Sequence, residues 1–183
     1  MRSRTVASHE GPVQRPPVTI PRWMSALVWW VGVPVVHGGV PWAISRLGVR
    51  HGWSADHPAA WNLVGLAAVA GGATLTLWVS LAHLSKAKDG VEVSVMSRVL
   101  VTRGPYAWSR NPMYVAELSV WLGWTVLFGS IPVLVGAVAL WVAMTFIALP
   151  WEERALEAKF SETYLGYKRR VPRWLGRRAG GGD

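Results

Sequence analysis

The chain has 183 residues, enough for one domain without requiring a second; 51% are hydrophobic and 13 are tryptophan. The charges are segregated rather than scattered, the pattern of an integral membrane protein. The absence of cysteine excludes disulfides, thiolate metal sites, iron–sulfur clusters and cysteine nucleophiles, and the net charge of +9 flanks apolar spans instead of forming a base-stacking stripe, which points to an anionic lipid leaflet and away from nucleic acid.

Residues 1–22 form a basic, proline-rich tail with Arg2, Arg4, Arg15 and Arg22, expected to be mobile. Residues 23–84 hold two expected membrane spans. The first, Trp23–Ile44, is too long for the apolar region of a signal peptide and reads as a retained span. Pro34 and Gly38-Gly39-Val40-Pro41 predict a kink in it, and its glycines allow close helix approach. After a short loop, the second span covers about Trp61–Leu84, with Gly65, Gly71 and Gly72 as packing points. Residues 85–111 form a polar connector whose VEVSVMSRVLV stretch alternates weakly and suits extended backbone. The third and fourth spans, Pro112–Phe128 and Ile131–Leu149, are separated only by Gly129-Ser130, which predicts a tight antiparallel hairpin. Beyond Pro150 the 100° spacing places Glu153, Leu156, Phe160, Tyr164 and Tyr167 on one stripe of an amphipathic helix that lies on the bilayer or caps the bundle. Residues 176–183 close the chain as a flexible tail. The predicted fold is an all-α integral membrane protein of four transmembrane helices with a tight C-terminal hairpin.

Lysine and arginine set the expected orientation. Residues 1–22 carry four, the connector five and the segment after Pro150 eight, against two in the first loop and none in the hairpin turn. The positive-inside rule then places both termini in the cytoplasm, together with the two polar clusters.

Those clusters are VTRGPYAWSRNPMY, from Val101 to Tyr114, and Trp151-Glu152-Glu153-Arg154. Pro112 removes a donor and bars Asn111 from helical angles, so a helix begins there. The reading of a snorkelling arginine and a plain helix start stands beside that of a Gly/Pro loop offering free N–H groups to a carboxylate or other electron-rich ligand group. Glu152 and Glu153 suit the helix macrodipole. Glu153 also falls on the apolar stripe, where it needs a partner such as Arg110, Arg170 or a cationic ligand. Glu117, one turn inside the third span, reads equally as functional or as reaching interfacial water. His37 and His83 read as structural, and no metal set, catalytic triad, P-loop or dinucleotide fingerprint is present.

The segment GPYAWSRNPMY, a hairpin, and then WEERALEAKFSETYLGYKRRVPRWL resemble the isoprenylcysteine carboxyl methyltransferase and phospholipid methyltransferase family over about residues 90–175. The resemblance implies an integral membrane enzyme that uses S-adenosylmethionine (SAM). It implies a cofactor site of Tyr106, Arg110, Asn111, Pro112, Met113 and Tyr114, joined by Arg98, Val99, Leu100 and Val101, with Glu152 as the acidic contact. Phe160, Tyr164, Tyr167, Arg170, Val171 and Pro172 match the family's closing pattern. Asn111 stands where the family often has histidine, and Ala116 replaces a motif glycine. Ala148 occupies the place of an arginine found in prenylcysteine enzymes, which argues against a prenylcysteine carboxylate as acceptor.

The expected function is methyl transfer from SAM to a lipophilic, membrane-embedded acceptor, with Arg170, Tyr167 and Glu153 nearest that acceptor, no metal, and an open oligomeric state. A nicotinamide-dependent membrane reductase of related architecture and a non-enzymatic helical scaffold remain the alternatives.

Overall fold

The computed structural model describes residues 27, 31–84 and 100–176. Its elements are α1 (Val40–Ser45), preceded by a π-helical turn at Val35–Gly39, a short hairpin of β1 (Trp53–Ser54) and β2 (His57–Pro58), α2 (Val64–Leu84), a 3₁₀ turn at Gly104–Ala107, α3 (Pro112–Phe128), α4 (Ile131–Ala143), a second π-helical turn at Met144–Ala148, and α5 (Leu149–Arg170). Of the expected extended stretch, residues 91–99, Arg98 and Val99 among them, lie outside the described residues, and only Leu100 and Val101 are described.

Two helical stretches are long and apolar enough to cross a membrane: Val64–Ala82, and the apolar part of Ile131–Arg170. Pro112–Phe128 is a shorter apolar helix. Only 17% of each long apolar window is buried within the protein. Leu77, Leu81, Val135, Val138, Phe146 and Ile147 instead point outward. Outward apolar surface on this scale suits lipid contact rather than water. The protein is thus a mainly helical membrane protein.

The principal packing is the antiparallel pair α2/α3. A Cβ added at Gly72 would lie 2.7 Å from the Ala116 carbonyl and from Val120 Cγ2, and one at Gly123 would lie 2.7 Å from the Gly65 carbonyl. The backbones therefore touch, and only glycine allows it. Gly65 and Gly72 serve as the sequence suggests. Around Gly71, Gly38 and Gly39 nothing among the described residues lies within 4 Å of such a Cβ, so these three face away from the α2/α3 contact. Ala116 is fully buried in the same α2/α3 seam.

At one end of the pair, Gly129 ends α3 with φ +55°, and Ser130 Oγ accepts from the Val133 N–H at 3.5 Å to start α4. The first loop packs on this turn. His51 N–H donates to the Gly129 carbonyl at 3.0 Å, Trp53 Nε1 to Leu127 O at 2.9 Å, and Asn62 Nδ2 to Val126 O at 2.9 Å. Beneath it Trp121, Phe128, Val133 and Ala137 form a buried cluster with Trp53 and Trp124.

The sequence places a boundary at Pro150; the helix instead runs through it. Leu149 N–H donates to Met144 O, five residues back. This widened turn absorbs the donor that proline lacks and the room its ring needs. The turn at Val35–Gly39, with Val40 N–H on Val35 O, does the same one residue before Pro41. The real break is at Ser161, whose φ of 44° and ψ of −124° interrupt α5. Lys168 Nζ lies 2.6 Å from Glu157 and 3.3 Å from Glu153, whereas fifteen residues of straight helix would separate Lys168 from Glu153 by roughly 22 Å. Thus α5 is two arms, residues 149–160 and 162–170, folded back on each other.

Candidate functional site

The fold-back of α5 brings its two arms against the segment before α3, at the end of the α2/α3 pair remote from the hairpin turn. Tyr164, Tyr167 and Val171 form a buried cluster with Leu100, Tyr106, Leu156 and Phe160 packed around it. Glu153, Leu156, Phe160, Tyr164 and Tyr167 thus do share one apolar surface. They share it because the second arm closes onto the first, rather than along a straight helix.

Into this surface projects the Glu153 carboxylate, 5% exposed. Arg110 Nη1 lies 3.0 Å from Oε1. Arg173 grips both oxygens, Nε to Oε1 at 2.9 Å and Nη2 to Oε2 at 3.0 Å, and Lys168 Nζ reaches Oε2. A planar guanidinium matches a carboxylate in this two-pronged way, giving direction as well as charge. The bond to Glu153 raises the Arg173 guanidinium above its ordinary value.

Backbone contacts tie the same junction. Arg110 N–H donates to Pro172 O at 2.9 Å, and both Ser109 Oγ (3.2 Å) and Asn111 Nδ2 (3.0 Å) donate to Arg173 O. Tyr167 Oη donates to the Tyr106 carbonyl at 2.7 Å. Arg110, Asn111, Glu153 and Tyr167 are therefore engaged in holding the loop before α3 against the chain after α5. Arg170 is solvent-exposed, and Arg173, three residues later, makes the contact with Glu153.

Glu152, adjacent in sequence, has a different environment. Tyr114 Oη donates to its Oε1 at 2.5 Å, and among the described residues no cation pairs with it. Tyr106, Tyr114, Glu117 and Glu152 are all half-buried, open enough to meet a small molecule. Burial, then the nearby Glu152 charge, pushes the Tyr106 phenol up to about 12. It is consequently a neutral hydroxyl throughout the physiological range. Pro112 is buried at the start of α3, Met113 half-buried beside it, Val101 buried and Leu100 half-buried. Among the described residues the first turn of α3 has no side-chain cap, since Asn111 is turned to Arg173, and its leading N–H groups lack intrahelical acceptors. Ser109, Tyr164, Lys168 and Arg173 were not singled out as site residues by sequence. Their roles depend on the reversal at Ser161, which no sequence pattern announces.

The phospholipid methyltransferase family matches residues 61–163, more than half of the chain. The chain belongs to that family. An uncharacterized protein of Haemophilus influenzae (strain ATCC 51907 / DSM 11121 / KW20 / Rd) is 33% identical over 63 residues, which cover 34% of this chain and 100% of that protein. No solved structure matches the chain. Membership supports a membrane methyltransferase. The family match contains Tyr106, Tyr114, Glu117, Glu152 and Glu153 but stops at residue 163, short of Tyr167, Lys168 and Arg173.

Proposed function

We propose that the protein is a SAM-dependent methyltransferase acting on a lipophilic acceptor that enters from the bilayer. Family membership supports methyl transfer. The observation that carries the cofactor reading is the half-buried Glu152, held by Tyr114 Oη at 2.5 Å and lacking a cationic partner among the described residues, beside Tyr106. An electron-rich cluster of one carboxylate and two phenols fits a molecule bearing a sulfonium and an ammonium, and the uncapped first turn of α3 fits its carboxylate. When bound, SAM supplies an electrophilic methyl group that needs neither metal nor covalent enzyme intermediate.

In this reading Glu152 and Tyr106 hold and orient the cofactor. Tyr114 fixes the Glu152 carboxylate by its hydrogen bond. The ion cluster around Glu153 positions the loop, through Arg110, and excludes water beneath it. The acceptor meets this region from the apolar side, and both polar segments face the cytoplasm in accordance with the basic-residue count. Ala148 supplies no guanidinium for an acceptor carboxylate. This argues against a prenylcysteine carboxylate and for another lipophilic acceptor.

Calorimetry on detergent-purified protein tests the reading. SAM and its demethylated product are expected to bind saturably, and Glu152→Gln to weaken SAM by about tenfold, the loss of one charge-assisted contact. No saturable heat at millimolar ligand, or an unchanged affinity in Glu152→Gln, overturns it.

A further inference from the structure

At the other end of α3, roughly 25 Å from the Glu152 region by helix rise, a cleft of about 330 Å³ opens between the end of α1 and the first loop that follows it. Ser45, Arg46, Gly48, Arg50, Trp53 and Asp56 line it. Arg50 is wedged between aromatic rings, its guanidinium carbon 4.8 Å from the Trp53 centroid and 5.1 Å from that of Phe128. Its Nη2 donates to Ser45 Oγ at 2.7 Å, while its Nε is buried without a hydrogen-bond partner among the described residues. Arg46, 5.1 Å from the Trp42 centroid, faces the same space.

Two guanidinium groups that line one cleft repel each other, and an anion bound between them offsets that repulsion. Burial and the Arg46 charge both push the Arg50 guanidinium down, and Asp56 pushes it back up. Two arginines and one aspartate leave a single positive charge, which matches a phosphodiester monoanion better than a doubly charged phosphomonoester. The flanks suggest where that anion comes from. Leu47 is 78% exposed and Val49 72% exposed, so two outward apolar side chains lie between the arginines in Arg46-Leu47-Gly48-Val49-Arg50. Trp42 and Trp61 are exposed beside them, as is usual at the level of lipid headgroups. Asp56 is held on the rim by a two-residue hairpin turn in which it and Ala55 both have positive φ, 64° and 46°. A non-glycine pair there is strained.

We propose that this cleft binds the phosphodiester of an anionic phospholipid, Arg46 and Arg50 taking the phosphate oxygens while Leu47 and Val49 enter the acyl region. The site anchors the loop end of the molecule in the leaflet opposite the methyl-transfer region and is independent of the methyltransferase reading.

Thermal unfolding of the full chain in detergent, titrated with short-chain phosphatidylglycerol, short-chain phosphatidylcholine or inorganic phosphate, tests it. Phosphatidylglycerol is expected to raise the melting temperature saturably and the other two to fall well short. Arg46→Gln, at an exposed position that should not disturb folding, is expected to weaken phosphatidylglycerol about fivefold, the worth of one basic residue at a lipid surface, and Asp56→Asn to strengthen it. SAM affinity in Arg46→Gln should equal that of the unaltered protein. An unchanged lipid titration in Arg46→Gln overturns the site. An equal, saturable shift with inorganic phosphate overturns the lipid as its occupant.

Discussion

Replacing Glu153 by glutamine removes the charge on which three cations converge. Arg110 is the decisive partner, because its side chain is 4% exposed and that of Glu153 7%. Loss of the carboxylate charge leaves a guanidinium buried beside Tyr164 and Tyr167 with no counter-charge. Breaking a buried pair from one side costs about 3–5 kcal/mol. Lys168 and Arg173 are one-third exposed, and water screens their share to about 1 kcal/mol or less each. For a chain of this size the total of about 3–7 kcal/mol corresponds to a melting temperature lower by roughly 6–28 °C. A double-mutant cycle refines the claim. Coupling between Glu153→Gln and Arg110→Gln is expected at about 1.5–3 kcal/mol, exceeding that between Glu153→Gln and Lys168→Gln by at least about 1 kcal/mol. Thermal unfolding in detergent reads both. A Glu153→Gln protein melting within about 2 °C of the unaltered one, or equal couplings to Arg110 and Lys168, would refute the assignment of Glu153 as the clasp of this junction.

Ser161→Gly should stabilise the protein by about 1 kcal/mol, because φ 44°, ψ −124° is a backbone state that glycine adopts without strain. Ser161→Val should destabilise it, and unchanged melting in both would show that the arms do not reverse there. Gly72→Val should cost at least about 2 kcal/mol, since its side chain meets the Ala116 carbonyl, while Gly71→Ala, facing open space, should be neutral or slightly stabilising; chemical denaturation in detergent separates the two. Tyr106 has a folded value of about 12 against about 10 when unfolded. The stability it contributes is complete below pH 10 and lost as pH rises toward 12. Tyr106→Phe should flatten that part of the alkaline melting profile, and an unaltered profile would refute it.

The sequence shows most of the apolar architecture, because lipid-facing helices need long apolar runs and close helix pairs need glycine. Gly129-Ser130 is legible as a turn for the same local reason. What sequence conceals is the behaviour of helices at proline. Pro150 looks like a boundary, yet one widened turn upstream lets the helix continue, and local rules contain no term for that compensation. Ser161 is concealed more thoroughly. Serine has no preference for φ +44°, so only tertiary contacts, the Arg173 clasp on Glu153 and the Tyr164–Tyr167 cluster, can hold it there.

This concealment bears on the two adjacent glutamates. Read by periodicity, Glu153 is the anomalous one, a carboxylate on an apolar stripe, and it attracts a functional assignment. Folded, that anomaly is answered by Arg110, Lys168 and Arg173, two of which arrive from the reversed arm and the residues after it. Glu152, which looks like an ordinary first-turn acid, is the one left with a phenol and no counter-ion among the described residues. A buried charge fully paired within the protein has little left to offer a ligand, whereas a half-buried charge with a vacant lone pair can gain by binding a cation. The proposed division of labour rests on this contrast: Glu153 ties the junction together, and Glu152 is the carboxylate assigned to the cofactor.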